Sequence, residues 1–367
     1  MVGQQMATIE DRIHEIEEEI KKTQYNKATE RHIGLLKAKI SKLQIEADSH
    51  KGHGGTGFSI PKSGDATVAL VGFPNVGKSS ILNRLTGSES EVGSFAFTTL
   101  KVIPGILEIN GAKIQILDLP GIIENAASGS GRGREILSTV RSADLILLVA
   151  DVQTLGLEKI KNELYRAGIV IDRKRKNVSL KRTSSGGLKV YKPRGTSLEE
   201  GSIRDILKEF KITNAELYIR EKITADDLID FLKGNVVYIP SVVAVNKIDI
   251  PHDESRIETL KSNWKTVVEI SASKGIGVEK LKDTIFESLQ FVRVYLKDKA
   301  GKIDFERPLV LTKGSKVRDV CRRISREMLS SFRYAIMTGP NRKMGEIRAG
   351  LDYDLRDQDI VTVVSRN

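Results

Sequence analysis

"GFPNVGKSS", residues 72–80, follows the apolar run "TVALV" and leads into the helical pattern "SILNRLTG". Gly-x-x-x-x-Gly-Lys-Ser between a strand and a helix is the spacing of a phosphate-binding loop. The chemistry asks for these residue types. Gly72 and Gly77 let backbone amides turn toward phosphate oxygens, and the helix start adds its dipole. Lys78 then bridges the terminal phosphates and the Ser79 hydroxyl takes Mg2+, while Asn75, Val76 and Ser80 complete the loop's contacts. A strand feeding such a loop sits in an open sheet whose ligands bind at the carboxyl ends of the strands.

Working outward, apolar runs alternate with helical stretches, the pattern of an α/β protein with a doubly wound parallel sheet. "TVALVG", "VIPGILEI", "KIQILDL", "LILLVAD", "SVVAVNK" and "TVVEIS" are the expected strands. "DLPG" places Asp118 at a strand end, within reach of the same Mg2+ through water, and lets Gly121 turn its amide toward a terminal phosphate. In "FAFTTLKVIPG" Thr98 and Thr99 precede a strand, and Thr99 is the preferred third metal ligand. "NKID" adds Asn246 as a brace between loops, Lys247 as a cover for one face of a base, and Asp249 as acceptor of the two N–H donors that guanine has and adenine lacks. "SAS", Ser271, Ala272 and Ser273, follows the next strand, where the Ala272 amide can donate to the guanine carbonyl oxygen. Four motifs in order, each at the end of an expected strand, imply GTP and GDP binding. Hydrolysis asks for more, because a water must be oriented, and the residue after Gly121 is Ile122 where Ras-like enzymes carry glutamine.

Around that core the chain reads as modules. Residues 1–50 hold two helical patterns, with Ile9, Ile13, Ile16 and Ile20 on one and Ile33, Leu36, Ile40 and Leu43 on the other, joined as a hairpin. Residues 51–65 are a Gly-rich linker, 66–168 and 237–291 the two parts of the nucleotide domain, 169–236 an inserted subdomain and 292–367 a small α+β tail with one long helix, "KVRDVCRRISREMLSSF". From Arg173 to Arg194 there are nine Lys or Arg and no carboxylate, which suits either a clamp on phosphate backbones or a solvated loop. Arg132 and Arg134 in "GSGRGRE" read either as a charge-compensating finger or as a helix start. The 59 basic against 48 acidic residues give +11, attractive to polyanions. Cys321, the single cysteine, reads as a small core residue and suggests a reducing, cytoplasmic setting. The longest apolar run is too short for a bilayer, so no membrane is expected. None of the five histidines falls in a motif.

"GFPNVGKSS", "FAFTTLKVIPG", "KIQILDLPGIIENA" with "GRGRE", "NKID" and "KTQYNKATERHIGLLKAKI" together resemble the developmentally regulated GTP-binding protein family, relatives of the Obg GTPases, over nearly the whole chain. The resemblance implies a P-loop GTPase with an inserted S5-like α/β unit, an N-terminal helical hairpin and a C-terminal TGS domain of β-grasp shape. It also implies association with the ribosome or ribosomal RNA, and a regulatory partner protein. An apolar residue at Ile122 fits the family, and the intact Asp249 separates this chain from an ATP-preferring branch. In some GTPases of this broader kind an asparagine at the place of Asn75 ligates K+, which stands in for an arginine finger. Potassium-stimulated, slow hydrolysis through Lys78, Asn75, Thr99 and Gly121 is the resulting expectation, with Asn75 as mere loop-shaper the alternative. A nucleotide-gated RNA-binding scaffold with incidental turnover is the rival to the molecular switch.

Overall fold

Strand β1 (Ala66–Gly72) is buried along its whole length, and so are β4 (Leu145–Asp151) and β5 (Ser241–Asn246). Side chains alternate between the faces of a sheet, so continuous burial requires cover on both faces. The computed structural model, which describes residues 8–24, 26–27, 29–50, 62–87, 103–119, 131–298, 301–342 and 345–366, supplies that cover with helices. The chain divides into two compact units, Met1–Thr56 with Arg173–Tyr238, and Gly57–Asp172 with Ile239–Asn367.

In the second unit the three buried strands join β2 (Ile103–Ile109), β3 (Ala112–Asp118) and β6 (Val267–Glu269) in a six-stranded sheet of order β6-β5-β4-β1-β3-β2. All neighbours are parallel except β2, which runs antiparallel to β3. The expected parallel sheet therefore has one reversed edge. The cause is Asn110–Gly111, both at positive φ (51° and 82°), a two-residue turn of the kind that closes a hairpin. Helix Lys78–Thr86 buries Ile81, Leu82 and Leu85, and helix Val278–Ser288 buries Val278, Leu281 and Ile285. Both sets pack with Val68, Leu70, Ile114, Ile116 and Leu147 in one core cluster.

The tail belongs to the same unit and forms a five-stranded mixed sheet. Its order is Leu309–Thr312, Phe291–Leu296, Asp359–Ser365, Phe332–Thr338, Ile347–Ala349, with the second and third strands parallel. Helix Val317–Ile324 buries Val317, Val320 and Cys321 against Val294, Ala335, Met337 and Val361. The single long helix expected here is two. Ser325 is extended (φ −164°, ψ 157°), and its hydroxyl accepts from the Met328 amide to start a second helix, Arg326–Ser330. Ser is a strong N-cap, and the cap outweighs continuation of the apolar pattern. Helix Val278–Ser288 stops just before the first tail strand, which begins at Phe291.

In the first unit, strands Val178–Arg182, Ala215–Ile219 and Leu188–Tyr191 make a three-stranded sheet with Ala215–Ile219 in the centre. Helices Glu200–Glu209 and Ala225–Lys233 share its core cluster, the latter begun by a Thr224–Asp227 capping box. The basic segment 173–194 thus contributes two strands, so it is not the solvated loop of one sequence reading. Helix Glu30–His50 packs on both insert helices as well as on helix Ile9–Lys22. It approaches them through small residues: a Cβ on Gly34 would lie 3.4 Å from the Ala225 Cβ, and Ala38 is wholly buried in the insert's core. Of the expected apolar set, Ile33 and Leu36 are buried, whereas Ile40 and Leu43 are only half-buried. Arg31–Asp205, Lys37–Asp226 and Lys42–Glu209 ion pairs frame that contact.

Candidate functional site

Parallel pairing fixes the site by register. Leu70 lies opposite Asp118, Gly72 opposite Val149 and Asn246 opposite Asp151, so the carboxyl ends of β1, β3, β4 and β5 finish along one edge. The loop after β1 crosses that edge and turns into helix Lys78–Thr86.

Two glycines are required there for different reasons. At Gly72 an added Cβ would overlap the Val149 carbonyl oxygen, so only glycine lets β1 pass β4 at that point. Gly77 is left-handed (φ 94°), and a Cβ there would run into the side-chain amide of Asn246. Asn75 is also left-handed (φ 63°), a conformation that asparagine tolerates better than most residues. The Lys78 ammonium donates to the Gly72 and Phe73 carbonyls at 3.1 and 2.9 Å, folding over its own loop. The Ser79 hydroxyl donates to Asp118 at 2.5 Å, although the two residues are 39 apart in sequence.

On the far side of the loop Asn246 is 3% exposed and fully engaged. Its amide donates to the Val76 carbonyl at 2.9 Å, and its oxygen accepts from the Ala272 amide at 3.0 Å. Lys247, at φ 65°, reaches the Asn75 carbonyl (2.8 Å) and the Asp151 carboxylate (2.7 Å). Burial pushes Asp151 toward protonation, but the Lys247 ammonium and the Thr154 and Gln153 amides outweigh it and hold the carboxyl below its ordinary value. Asp249 stands beside Ser271, Ser273 and Lys274. The Ser271 hydroxyl, ahead of the Lys274 charge, keeps this carboxyl low as well. The Ser271 and Ser273 hydroxyls lie 3.0 Å apart.

Of the residues picked out by sequence, the structure brings Asn75, Val76, Gly77, Lys78, Ser79, Asp118, Asn246 and Lys247 together at the strand ends. Asp249, Ser271, Ala272 and Ser273 lie beside them, and Ser80 is exposed on the first turn of the helix. Thr98, Thr99, Gly121 and Ile122 lie outside the described residues. Arg132 and Arg134 fall in helix Gly131–Arg141. Two participants were missed. Asp151 ends an apolar strand as Asp118 does, and that signal was available. Arg84 donates to the Ala272 and Ser273 carbonyls at 2.7 Å each and so anchors the "SAS" turn to the helix of the phosphate loop. An arginine on a helix gives no sequence signal of that kind.

Chemically the site offers amides and an ammonium for phosphates, one carboxylate for a base, and an adjacent hydroxyl and carboxylate. Hard oxygen donors such as Ser79 and Asp118 suit Mg2+.

Residues 67–181 match the family described as 50S ribosome-binding GTPase, 185–291 the C-terminal region of that domain, and 292–365 the TGS domain. An uncharacterised GTP-binding protein of Methanocaldococcus jannaschii is 49% identical over 99% of this chain and 94% of its own. Developmentally regulated GTP-binding protein 1 of Xenopus laevis is 42% identical over 97% of this chain and 98% of its own. Among solved structures, a GTP-binding protein from Pyrococcus horikoshii aligns with 82% of this chain and 100% of its own at 18% identity and a TM-score of 0.42.

Proposed function

The chain belongs to the developmentally regulated GTP-binding protein family, GTP-binding GTPases with a TGS domain, and on that premise we propose that it is a slow, potassium-stimulated switch acting on the ribosome or its RNA in the cytoplasm. The observation that carries the reading is the 2.5 Å bond from Ser79 to Asp118. It couples the hydroxyl that would hold the cation to the strand from which the "DLPG" segment departs, so a change at the terminal phosphate has a direct route into that segment.

In this reading the amides of Asn75 to Ser80 and the Lys78 ammonium bind and orient the phosphates, and Asp249 selects guanine; the Ala272 amide expected to help it is held instead by the Asn246 oxygen at 3.0 Å. Ser79, Thr99 and Asp118 would hold Mg2+, which would supply charge neutralisation for the phosphates. Ile122 has no polar atom to orient a water. The water positioning that a glutamine provides elsewhere is therefore assigned to the Gly121 amide, and the charge compensation of an arginine finger to a K+ ion that the exposed Asn75 would hold. Ribosome association is supported by the description of the matched family and by the +11 charge, and a regulatory protein partner is part of the same proposal.

Phosphate release by the purified chain in potassium and in sodium buffer tests the catalytic half. Faster release in potassium, lost in Asn75→Ala with GTP affinity retained, is expected. Equal rates in both buffers would sink the potassium role, and full activity in Lys78→Ala would sink the site itself.

A further inference from the structure

The outer face of the insert's sheet carries a group of side chains that the nucleotide site does not use. Along Ala215–Ile219 the residues Ala215, Leu217 and Ile219 are buried, which turns Glu216 and Tyr218 to the opposite face. Register places Tyr218 between Ser179 and Tyr191, and Glu216 between Lys181 and Lys189. The two tyrosine rings stack with centroids 4.8 Å apart and planes 10° apart. Tyr191 lies on an edge strand and is 48% exposed. Arg220 follows the central strand and donates to the Ser179 hydroxyl at 3.0 Å, which holds a guanidinium next to the rings. Lys181, Lys189 and Arg220 are all exposed.

Stacked rings on a sheet surface, with cations at strand spacing around them, present what single-stranded nucleic acid needs: a flat π-face for a base and positive charge for its backbone. We propose that this face binds single-stranded RNA, with a base stacked on the tyrosine pair and the backbone running past Lys181, Lys189 and Arg220. The segment from Arg173 to Arg194 holds nine cations and no carboxylate, and although Arg173, Lys176 and Lys189 pair with Asp230, Glu221 and Glu216, cations remain in excess within it. Glu216 argues for RNA over DNA. It accepts from the Tyr218 hydroxyl at 2.8 Å, and a carboxylate in that row repels phosphate but can also accept from a 2′-hydroxyl, which DNA lacks. An acidic peptide would satisfy the lysines and leave the aromatic faces without a role. The inference deepens the RNA contact in the proposed function and rests on it for biological meaning, but its atoms are separate from the nucleotide site.

The test is fluorescence anisotropy of the full chain with a labelled oligouridine of about 12 nucleotides, long enough for one binding surface. Tyr191→Ala is expected to weaken binding about tenfold, Tyr191→Phe to bind as wild type, and Lys181→Glu with Lys189→Glu to flatten the salt dependence. Oligodeoxyuridine should bind more weakly, and Glu216→Gln should narrow that gap. The melting temperature and GTP affinity should not change in Tyr191→Ala. Wild-type affinity in both Tyr191→Ala and Tyr218→Leu, or equal affinity for the deoxy oligonucleotide, would overturn the proposal. So would a polyglutamate peptide that binds through the lysines and ignores Tyr191→Ala. Loss of oligouridine binding with ribosome cosedimentation intact would remove the platform and leave the switch reading standing. Oligouridine binding by a chain that never meets ribosomes would do the reverse.

Discussion

The Asn246 side chain donates to the Val76 carbonyl at 2.9 Å and thereby locks the base-side loop of β5 to the phosphate loop of β1, 170 residues away in sequence. Its oxygen takes the Ala272 amide in the same way. Asn246→Ala removes both links from a buried position, and an orphaned buried group costs about 1–3 kcal/mol. GTP and GDP affinities should fall together, by roughly ten- to a hundredfold. Isothermal titration with both nucleotides checks this, and a loss confined to GTP would contradict the bracing role.

Gly77→Ala should act on the same link. Alanine is strained at φ 94°, and its Cβ would displace the Asn246 amide. A lower melting temperature and weaker nucleotide binding are expected. In an Asn246→Ala background the added methyl has room, so the two losses should sum to less than their separate values. Strict additivity in a double-mutant cycle would rule out the contact as the cause.

Asp249 gives a pH prediction with a definite sign. The Ser271 hydroxyl holds its carboxyl below the ordinary value of 3.8, so the fold favours the ionised form. That contribution is fully present above the ordinary value and is lost only as pH falls through the lower folded one. Preference for GTP over ATP should therefore persist at about pH 5, where an unperturbed carboxylate is still mostly ionised, and begin to fail only in stronger acid. Ser271→Ala should move that failure to higher pH. Asp249→Asn should exchange guanine for xanthine preference, since an amide offers one donor and one acceptor where the carboxylate offered two acceptors.

The tail holds a buried ion pair, Arg342–Asp359, at 2.5 Å, with both side chains at most 2% exposed. Arg342 also donates to the Tyr353 hydroxyl and the Asp354 carbonyl, each at 3.1 Å, and Asp359 accepts from the Arg356 amide. Asp359→Ala strands a guanidinium in the interior, at about 3–5 kcal/mol. Thermal unfolding should register that loss while nucleotide affinity stays near wild type.

The nucleotide domain was legible because continuous apolar runs such as "LILLVAD" are short enough to read as buried strands, and each motif sits where such a run ends. The order of the motifs therefore carried both the sheet and the site edge. Other parts were hidden for physical reasons. Gly34 and Ala38 form a close helix contact through smallness, which a search for an apolar stripe passes over. Ser325 breaks a helix by capping a new one inside an unbroken periodic pattern. Ile347–Ala349 is a strand too short to show alternation. Arg84 acts on backbone carbonyls of a loop 188 residues away, a pairing that only the fold creates.

Nucleotide-gated docking is tested most directly by cosedimentation of the full chain with ribosomes in the presence of a nonhydrolysable GTP analogue or of GDP. Retention with the analogue and release with GDP, the difference abolished by Asp118→Ala, is the expected result. Equal cosedimentation in both states, unchanged by Asp118→Ala, would contradict the switch and leave a binding scaffold whose hydrolysis is incidental.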